Sequence, residues 1–172
     1  VFIDGLPIGT EQADSLGSWQ VDHSATLLPD AAYAVTAQVS DVAGNLSAVS
    51  PTLAVVVDSV APAAPFISAL LSDTGTLGDL ITADPGVILG GSAEANETVT
   101  VFLGGVEIGT VVADGAGDWI FDYSAASLGA GVRLFTAQVE DAAGNLSAVS
   151  GAFAVTIDVS APAVPGITGV TD

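Results

Sequence analysis

The feature that most constrains this chain is an internal repeat with an offset of 100 positions. The segment "DVAGNLSAVS", which starts at Asp41, returns as "DAAGNLSAVS" at Asp141 with nine of ten residues unchanged. Aligning Val1 with Val101 brings the remaining residues into register without a gap, and close to half of the aligned positions are identical. Because this period is too long for a solenoid repeat, the chain is predicted to be a tandem array of similar domains.

A period near 100 residues is the usual length of an immunoglobulin-like sandwich domain. Short Val-rich segments separated by Gly, Asp, Asn and Pro predict many strands joined by turns. We therefore predict an all-β fold of tandem immunoglobulin-like antiparallel β-sandwich domains. Residues 1–59 are expected to be the later strands of one repeat, 60–159 a complete repeat, and 160–172 the start of the next.

The strands of the complete repeat are predicted from its alternating apolar residues. The pair Gly104-Gly105 indicates a tight hairpin. Trp19 and Trp119 occupy equivalent positions and are interpreted as core residues, with carbohydrate stacking as the alternative. The predicted strands are 65–71, 86–93, 98–103, 106–113, 118–123, 132–141 and 145–158, with Gly151 as a candidate break in the last.

The charge balance excludes whole classes of partner. Twenty acidic residues stand against one basic residue, Arg133, which gives a formal net charge of −19. Repulsion from phosphates argues against nucleic acid and anionic membrane surfaces as partners, and no apolar run approaches the roughly 18 residues of a membrane span. Two interpretations of the acids stay open: a solvated surface that confers solubility, or ligands for divalent cations.

Strand tracing predicts that acidic loops gather at both ends of the sandwich, where one domain meets the next. Hard cations such as Ca²⁺ take six to eight oxygen ligands from carboxylates, amides and carbonyls, so Ca²⁺ is the expected ligand. The alternative for Asp41 and Asp141 is that each caps its own turn by accepting backbone N–H groups. The candidate ligands at the domain junction are Asp58, Glu94, Asn96, Glu97, Asp141 and Asn145. Those at the far end are Asp73, Asp79 and Asp158.

Catalysis is not expected. Nucleophilic catalysis needs a base beside a Ser or Cys, but the chain has neither Cys nor Lys. Its single histidine, His23, aligns with Tyr123, which suggests an aromatic packing position. The acidic clusters lie beside a repeated linker, which favours a structural role over acid–base chemistry.

Several motifs in one order carry a family resemblance. They are "D-x-A-G-N-x-S", "D-x-x-A-P-x-x-P", "D-T-G…G-D-x-I-T" and "G-x-x-I-G-T…A-D…G-x-W". Together they resemble the bacterial immunoglobulin-like repeats in the extender regions of biofilm-associated and RTX surface adhesins. The resemblance implies a non-enzymatic, type I-secreted protein on the outside of a bacterial cell. Its metal-binding acids would be Asp58, Asp73, Asp79, Asp141 and Asp158; Ser72 departs from the pattern, in which an Asp is frequent, as at Asp172.

The function predicted from the sequence is a calcium-stiffened spacer in a bacterial cell-surface adhesin that supports adhesion and biofilm formation. The expected partners are neighbouring repeats of the same chain. Two alternatives stay open. One is a filament or matrix subunit that associates with itself, and the other is a module that binds a glycan or a protein.

Overall fold

The computed structural model of the protein describes residues 1–166 and 168–169. In this part of the chain the regular elements are all β-strands, which confirms the predicted fold class. No helix among the described residues is long and apolar enough to cross a membrane. The chain divides into two compact units, Val1–Val60 and Ala61–Asp172. Of the predicted start of a third repeat, positions 167 and 170–172, including Asp172, lie outside the described residues.

The first unit is a single small sheet. Its strands are β1 (Phe2–Ile3), β2 (Leu6–Pro7), β3 (Ala31–Thr36) and β4 (Leu53–Val57), and they pair antiparallel in the order β2-β1-β3-β4. No residue between positions 1 and 60 is fully buried. The apolar residues of this unit therefore line a sheet without a core on either face.

The second unit has two sheets. Its strands are β5 (Phe66–Leu70), β6 (Ile81–Thr82), β7 (Val87–Ser92), β8 (Thr98–Leu103), β9 (Val106–Val112), β10 (Asp118–Tyr123), β11 (Gly131–Glu140) and β12 (Phe153–Ile157). One sheet has the order β10-β7-β5 and the other β6-β12-β11-β8-β9. All pairs are antiparallel except β6 with β12.

The inward side chains of both sheets form one apolar core. Period-2 alternation puts every second residue of a strand on the same face, as the buried Phe135, Ala137 and Val139 of β11 show. The other fully buried large residues come from both sheets. They are Val87, Leu89, Val99, Val101, Val155 and Ile157.

The predicted strands agree with the second unit within one or two residues, except at two places. Of the strand predicted at 145–158, only 153–157 form β12, which begins just after the candidate break at Gly151, while Leu146 makes an isolated bridge to Glu140. The short β6 was not predicted, because two residues inside a polar loop carry no periodic signal. The Gly104-Gly105 hairpin is confirmed, with φ of +58° and +83°, which glycine adopts without strain.

Candidate functional site

The repeated turn, residues 41–45 and 141–145, has the same hydrogen bonds in both units. In the second unit, Oδ1 of Asp141 accepts hydrogen bonds from the N–H groups of Ala143 and Asn145, both at 2.8 Å. Its Oδ2 accepts one from Nδ2 of Asn145 at 2.9 Å. The turn closes with the Gly144 N–H donating to the Asp141 carbonyl at 3.1 Å, and Gly144 has a φ of +89°.

The first unit repeats these contacts around Asp41. Its carboxylate accepts from the N–H groups of Ala43 and Asn45 at 2.9 and 2.8 Å, and from Nδ2 of Asn45 at 2.8 Å. The turn-cap interpretation is therefore confirmed for both aspartates. A carboxylate has about four lone-pair directions, so capping leaves further acceptor capacity on each.

These hydrogen bonds favour the ionised form of both aspartates. The side-chain amide of Asn145 lowers the pKa of Asp141 most, and the N–H groups of Asn145, Ala143 and Gly144 lower it further. The Asn45 amide and the same backbone groups lower the pKa of Asp41 in the same way. A charged acceptor strengthens the hydrogen bonds that it receives, so each turn carries a fixed negative charge at neutral pH.

Two serines continue the turn into the sheet. Oγ of Ser147 accepts from the Val139 N–H, and Oγ of Ser150 accepts from the Ala137 N–H, both at 2.9 Å. The N–H groups of the two serines donate to the carbonyls of the same β11 residues. The hydroxyls thus replace backbone carbonyls as partners of β11, which is why the predicted strand is interrupted here. The identical spacing of Ser47 and Ser50 in the first copy was the signal that sequence reasoning did not use.

The predicted grouping of loops at the ends of the second unit is confirmed. Three loops share one end: 93–97, 113–118 and 141–145. The N–H of Asn96 donates to the Ala113 carbonyl at 3.1 Å, the N–H of Ala113 donates to the Glu97 carbonyl at 3.0 Å, and Glu140 pairs with Thr98. Glu94, also in this group, accepts the Ala63 N–H through Oε1 at 2.7 Å and so anchors the first residues of the unit.

The opposite end holds the loop 72–85 and the exit of β12. The N–H of Asp158 donates to the Thr82 carbonyl at 2.9 Å, and Oγ1 of the buried Thr82 donates to the Ser72 carbonyl at 2.9 Å. Ser72, where an Asp was the family expectation, also accepts the Ile88 N–H through its hydroxyl at 3.0 Å. The Ser72 hydroxyl also donates to the Gly86 carbonyl at 3.3 Å, a bond that an ionised Asp could not make because it can only accept.

Asp73 is the most unusual acid in this loop. Its Oδ2 accepts the Gly78 N–H at 2.7 Å, while its Oδ1 is buried and has no hydrogen-bond partner. Asp79 accepts the Ile81 N–H through Oδ1 at 2.9 Å. A buried carboxylate oxygen without a hydrogen-bond partner is costly. A cation bound at this oxygen would supply the missing partner.

The structure brings only some of the predicted ligands together. Asp141 and Asn145 share a turn, and Glu94, Asn96 and Glu97 share the loop between β7 and β8. Asp58 belongs to the first unit, where its Oδ1 accepts the Val60 N–H at 3.0 Å. Within either unit, over the described positions, no three acidic or histidine side chains converge as a metal-binding group. The calcium ligands therefore stay a prediction.

The two tryptophans differ. Trp119 is 3% exposed and belongs to the core, as predicted. Trp19 is 50% exposed, so its core assignment is wrong. It lines an open cavity of about 580 Å³ whose other walls are formed by residues 10–13 and 37–40. In the second unit, the ring of Trp119 packs against Gly91 of β7.

The family model described as "Bacterial Ig-like domain" matches residues 61–159, which is more than half of the chain. The chain belongs to the bacterial Ig-like domain family. This confirms the resemblance predicted from the motifs. No curated protein sequence matches this bacterial Ig-like chain.

Three solved structures are similar to this bacterial Ig-like chain. The fibronectin(III)-like modules of Clostridium thermocellum CbhA are 13% identical, with 76% of this chain and 64% of that chain covered and a TM-score of 0.46. A Ca²⁺-stabilised adhesin with which an Antarctic bacterium binds ice is 24% identical, with 77% of this chain and 33% of that chain covered and a TM-score of 0.39. The BSP domain of a biofilm-associated protein is 21% identical, with 78% of this chain and 20% of that chain covered and a TM-score of 0.41. This chain spans less than two thirds of each.

Proposed function

We propose that this chain is a spacer segment of a bacterial surface adhesin, in which tandem Ig-like repeats are stiffened by calcium at the domain ends. The observation that carries the proposal is the near-identical acidic turn of Asp41 and Asp141. A turn that is repeated more faithfully than the strands around it points to a role at a place that recurs once per domain. In a tandem array, that place is the contact between successive domains.

The charge of the chain supports a cation as the stiffening element. With a net charge of −19, successive domains repel one another, and the repulsion is strongest where acidic loops gather. A divalent ion that joins carboxylates removes part of this repulsion. The proposed result is a chain that bends freely without calcium and extends with it.

Three acidic residues at the far end of the second unit support calcium as the proposed ligand. Asp73 offers a buried Oδ1 that has no hydrogen-bond partner, and Asp79 lies in the same loop. Asp158 follows β12, which pairs with β6 at the end of that loop. Carboxylates and loop carbonyls are the ligands that Ca²⁺ takes. When bound, the ion would supply charge neutralisation and cross-links between loops.

The acids of the other end are proposed to serve the junction with the preceding repeat. The proposed ligands there are Asp58, Glu94, Asn96, Glu97, Asp141 and Asn145. Glu94 and Asp141 already order backbone N–H groups, so their carboxylates are held in place before an ion arrives. Such preorganisation lowers the entropic cost of binding.

The remaining parts of the proposal concern the setting of the protein. We place it outside the bacterial cell, exported by type I secretion as part of an RTX adhesin, with no catalytic activity. Low calcium inside the cell would keep the chain loose during export. Higher calcium outside would favour the folded and extended form, because a ligand that binds only the folded state stabilises it.

Calorimetric titration with CaCl₂ and small-angle scattering test the proposal. We expect saturable calcium binding and a larger maximum dimension in calcium than in chelator. Asp73→Asn should weaken calcium binding at least about tenfold, because the side chain loses its negative charge and one carboxylate oxygen becomes an amide nitrogen. Glu107→Gln, which removes one charge from an exposed position of β9, is the matched control. It should change neither the calcium affinity nor the maximum dimension. No binding at millimolar calcium, or an unchanged maximum dimension, would overturn the proposal.

A further inference from the structure

The basic residue of this acidic chain lies in a stretch without acids. Arg133 is the single Lys or Arg among 172 residues, and no Asp or Glu occurs between Asp122 and Glu140. Endoproteases that cut after basic residues bind the Arg or Lys side chain in a pocket with a negative charge, which acidic neighbours in the substrate would repel. The bond between Arg133 and Leu134 is therefore the one peptide bond of this chain that such a protease recognises.

In the folded second unit this bond lies inside a sheet. Arg133 and Leu134 pair with Val155 and Ala154 of β12. On the opposite edge, the Leu134 carbonyl accepts the Gly104 N–H at 2.9 Å, and β8 pairs with β11 from the next residue onwards. A polypeptide that binds as an added strand needs a free strand edge, and a protease holds its substrate in this extended form. The sheet therefore protects the bond.

The side chain of Arg133 is held as well. Its Nη2 and Nε both donate to the Gly129 carbonyl, at 2.6 and 3.2 Å. At the aligned position of the first unit, the Tyr33 hydroxyl donates to the Pro29 carbonyl at 2.7 Å. A phenol makes in one unit the contact that a guanidinium makes in the other. The contact itself thus does not require a basic residue.

We propose that the bond between Arg133 and Leu134 is a cryptic cleavage site for an endoprotease that cuts after basic residues, and that β12 is its cover. Release of β12 from β11 leaves one edge of residues 131–135 without a partner. The Arg133 side chain then leaves the Gly129 carbonyl and enters the negatively charged pocket of the protease. Water hydrolyses the peptide bond, which gives a carboxylate at Arg133 and a free amine at Leu134.

Cleavage at this site is restricted to chains in which β12 has opened. Folded domains open in parts as well as in whole, and the rate at which a protease cuts a covered bond follows the population of the open form when closing is fast. The site therefore converts a structural failure of the second unit into a cut at one defined position.

Digestion of the full 172-residue chain with trypsin tests the proposal. The folded chain should be cut at least about a hundredfold more slowly than a synthetic peptide of residues 129–137, because its open form is rare. Mass spectrometry should show two products, residues 1–133 and 134–172. Arg133→Gln should give neither product, with or without urea, and is the control for the position of the cut.

Two matched variants distinguish release of β12 from unfolding of the whole unit. Val155 of β12 and Val87 of β7 are both 0% exposed, and each loses the same two methyl groups on substitution by Ala. Urea unfolding, followed by the fluorescence of Trp119 in a Trp19→Phe background, gives the unfolded fraction of each variant. After division by this fraction, the cleavage rate of Val155→Ala should be at least about tenfold higher than that of Val87→Ala.

The chain with Val155 and Val87 intact gives a second measurement, which does not depend on whether either variant folds. Below the urea transition, the logarithm of the cleavage rate should rise with urea less steeply than that of the global unfolding constant, because release of one strand exposes less surface. Three results would overturn the proposal. They are cleavage of the folded chain as fast as the peptide, equal normalised rates in the two variants, and a urea dependence as steep as that of global unfolding.

Discussion

The two units of this chain use one sequence pattern and reach different structures. The turns at Asp41 and Asp141 have the same hydrogen bonds with distances that differ by about 0.1 Å. In contrast, residues 118–123 form β10 while residues 18–23 form no strand. The turn needs only its own five residues, whereas β10 needs a partner distant in sequence. The long-range pairs β1–β3 and β3–β4 do correspond to β8–β11 and β11–β12. The units therefore differ where β10 depends on its pairing with β7.

The largest predicted difference concerns the two tryptophans. Trp119→Ala should destabilise the second unit by about 3–5 kcal/mol, because it empties a buried site. Trp19→Ala should cost about 1 kcal/mol or less, because that ring is half in water. Hydrogen exchange at the β11 amides measures the first effect, and urea unfolding followed by circular dichroism compares both variants. Equal costs would contradict the burial difference.

Replacing the serine that bonds to β11 should give a smaller difference in stability cost between the two units. Ser147 is 4% exposed, so Ser147→Ala leaves the Val139 N–H buried without its acceptor, at a cost of about 1–3 kcal/mol. Ser47 makes the same bond at 3.1 Å but is exposed, so water can replace it and Ser47→Ala should cost about 1 kcal/mol or less. The exchange rate of the Val139 amide is the direct measurement. An unchanged rate in Ser147→Ala would rule out this role.

Replacing the glycine of the repeated turn should destabilise both units by the same amount. Gly44 and Gly144 have φ of +87° and +89°, where a Cβ atom is unfavourable. Gly44→Ala and Gly144→Ala should each weaken the turn by about 1 kcal/mol. Amide exchange at Asn45 and Asn145 reports the two turns separately. A much larger effect in one variant would show that the turn depends on its surroundings.

The smallest predicted effect is on acid titration. The pKa values of Asp41 and Asp141 are lowered in the folded chain from the ordinary 3.8. Their contribution to stability is thus fully present above about pH 4 and is lost as the pH falls through the lowered values. Asn45→Ala and Asn145→Ala should each raise the pKa of the aspartate in the same turn, as seen by carboxyl ¹³C shifts. An unshifted titration would exclude the amide as the main cause.

The comparison also shows what sequence reasoning reaches. Strands such as 98–103 and 118–123 were predicted with their observed bounds, because alternation and the Gly104-Gly105 turn are local signals. The exposure of Trp19 was not predicted, because its alignment with Trp119 says nothing about which strand covers it. The break after Leu146 was missed because serine hydroxyls there act as backbone acceptors.

The candidate metal site was predictable only in part. The pattern correctly grouped the end loops of the second unit, since strand order determines which loops are neighbours. It did not reveal the buried, unpartnered oxygen of Asp73, because burial of a single atom depends on how the loop 72–85 folds back on itself. The sequence pattern allowed Asp141 to be a metal ligand or a turn cap, and the hydrogen bonds confirm the turn cap.

The position of β12 has a mechanical consequence for the proposed adhesin spacer. β12 is the last strand that the structure describes in its unit, and it pairs with β11 at five positions, from Gly131 opposite Ile157 to Phe135 opposite Phe153. A pull on the chain beyond Asp158, directed along β12, loads these hydrogen bonds together in shear, and the parallel pair with β6 shares the load. Strands pulled in this direction give way all at once, whereas strands peeled from one end open one bond at a time.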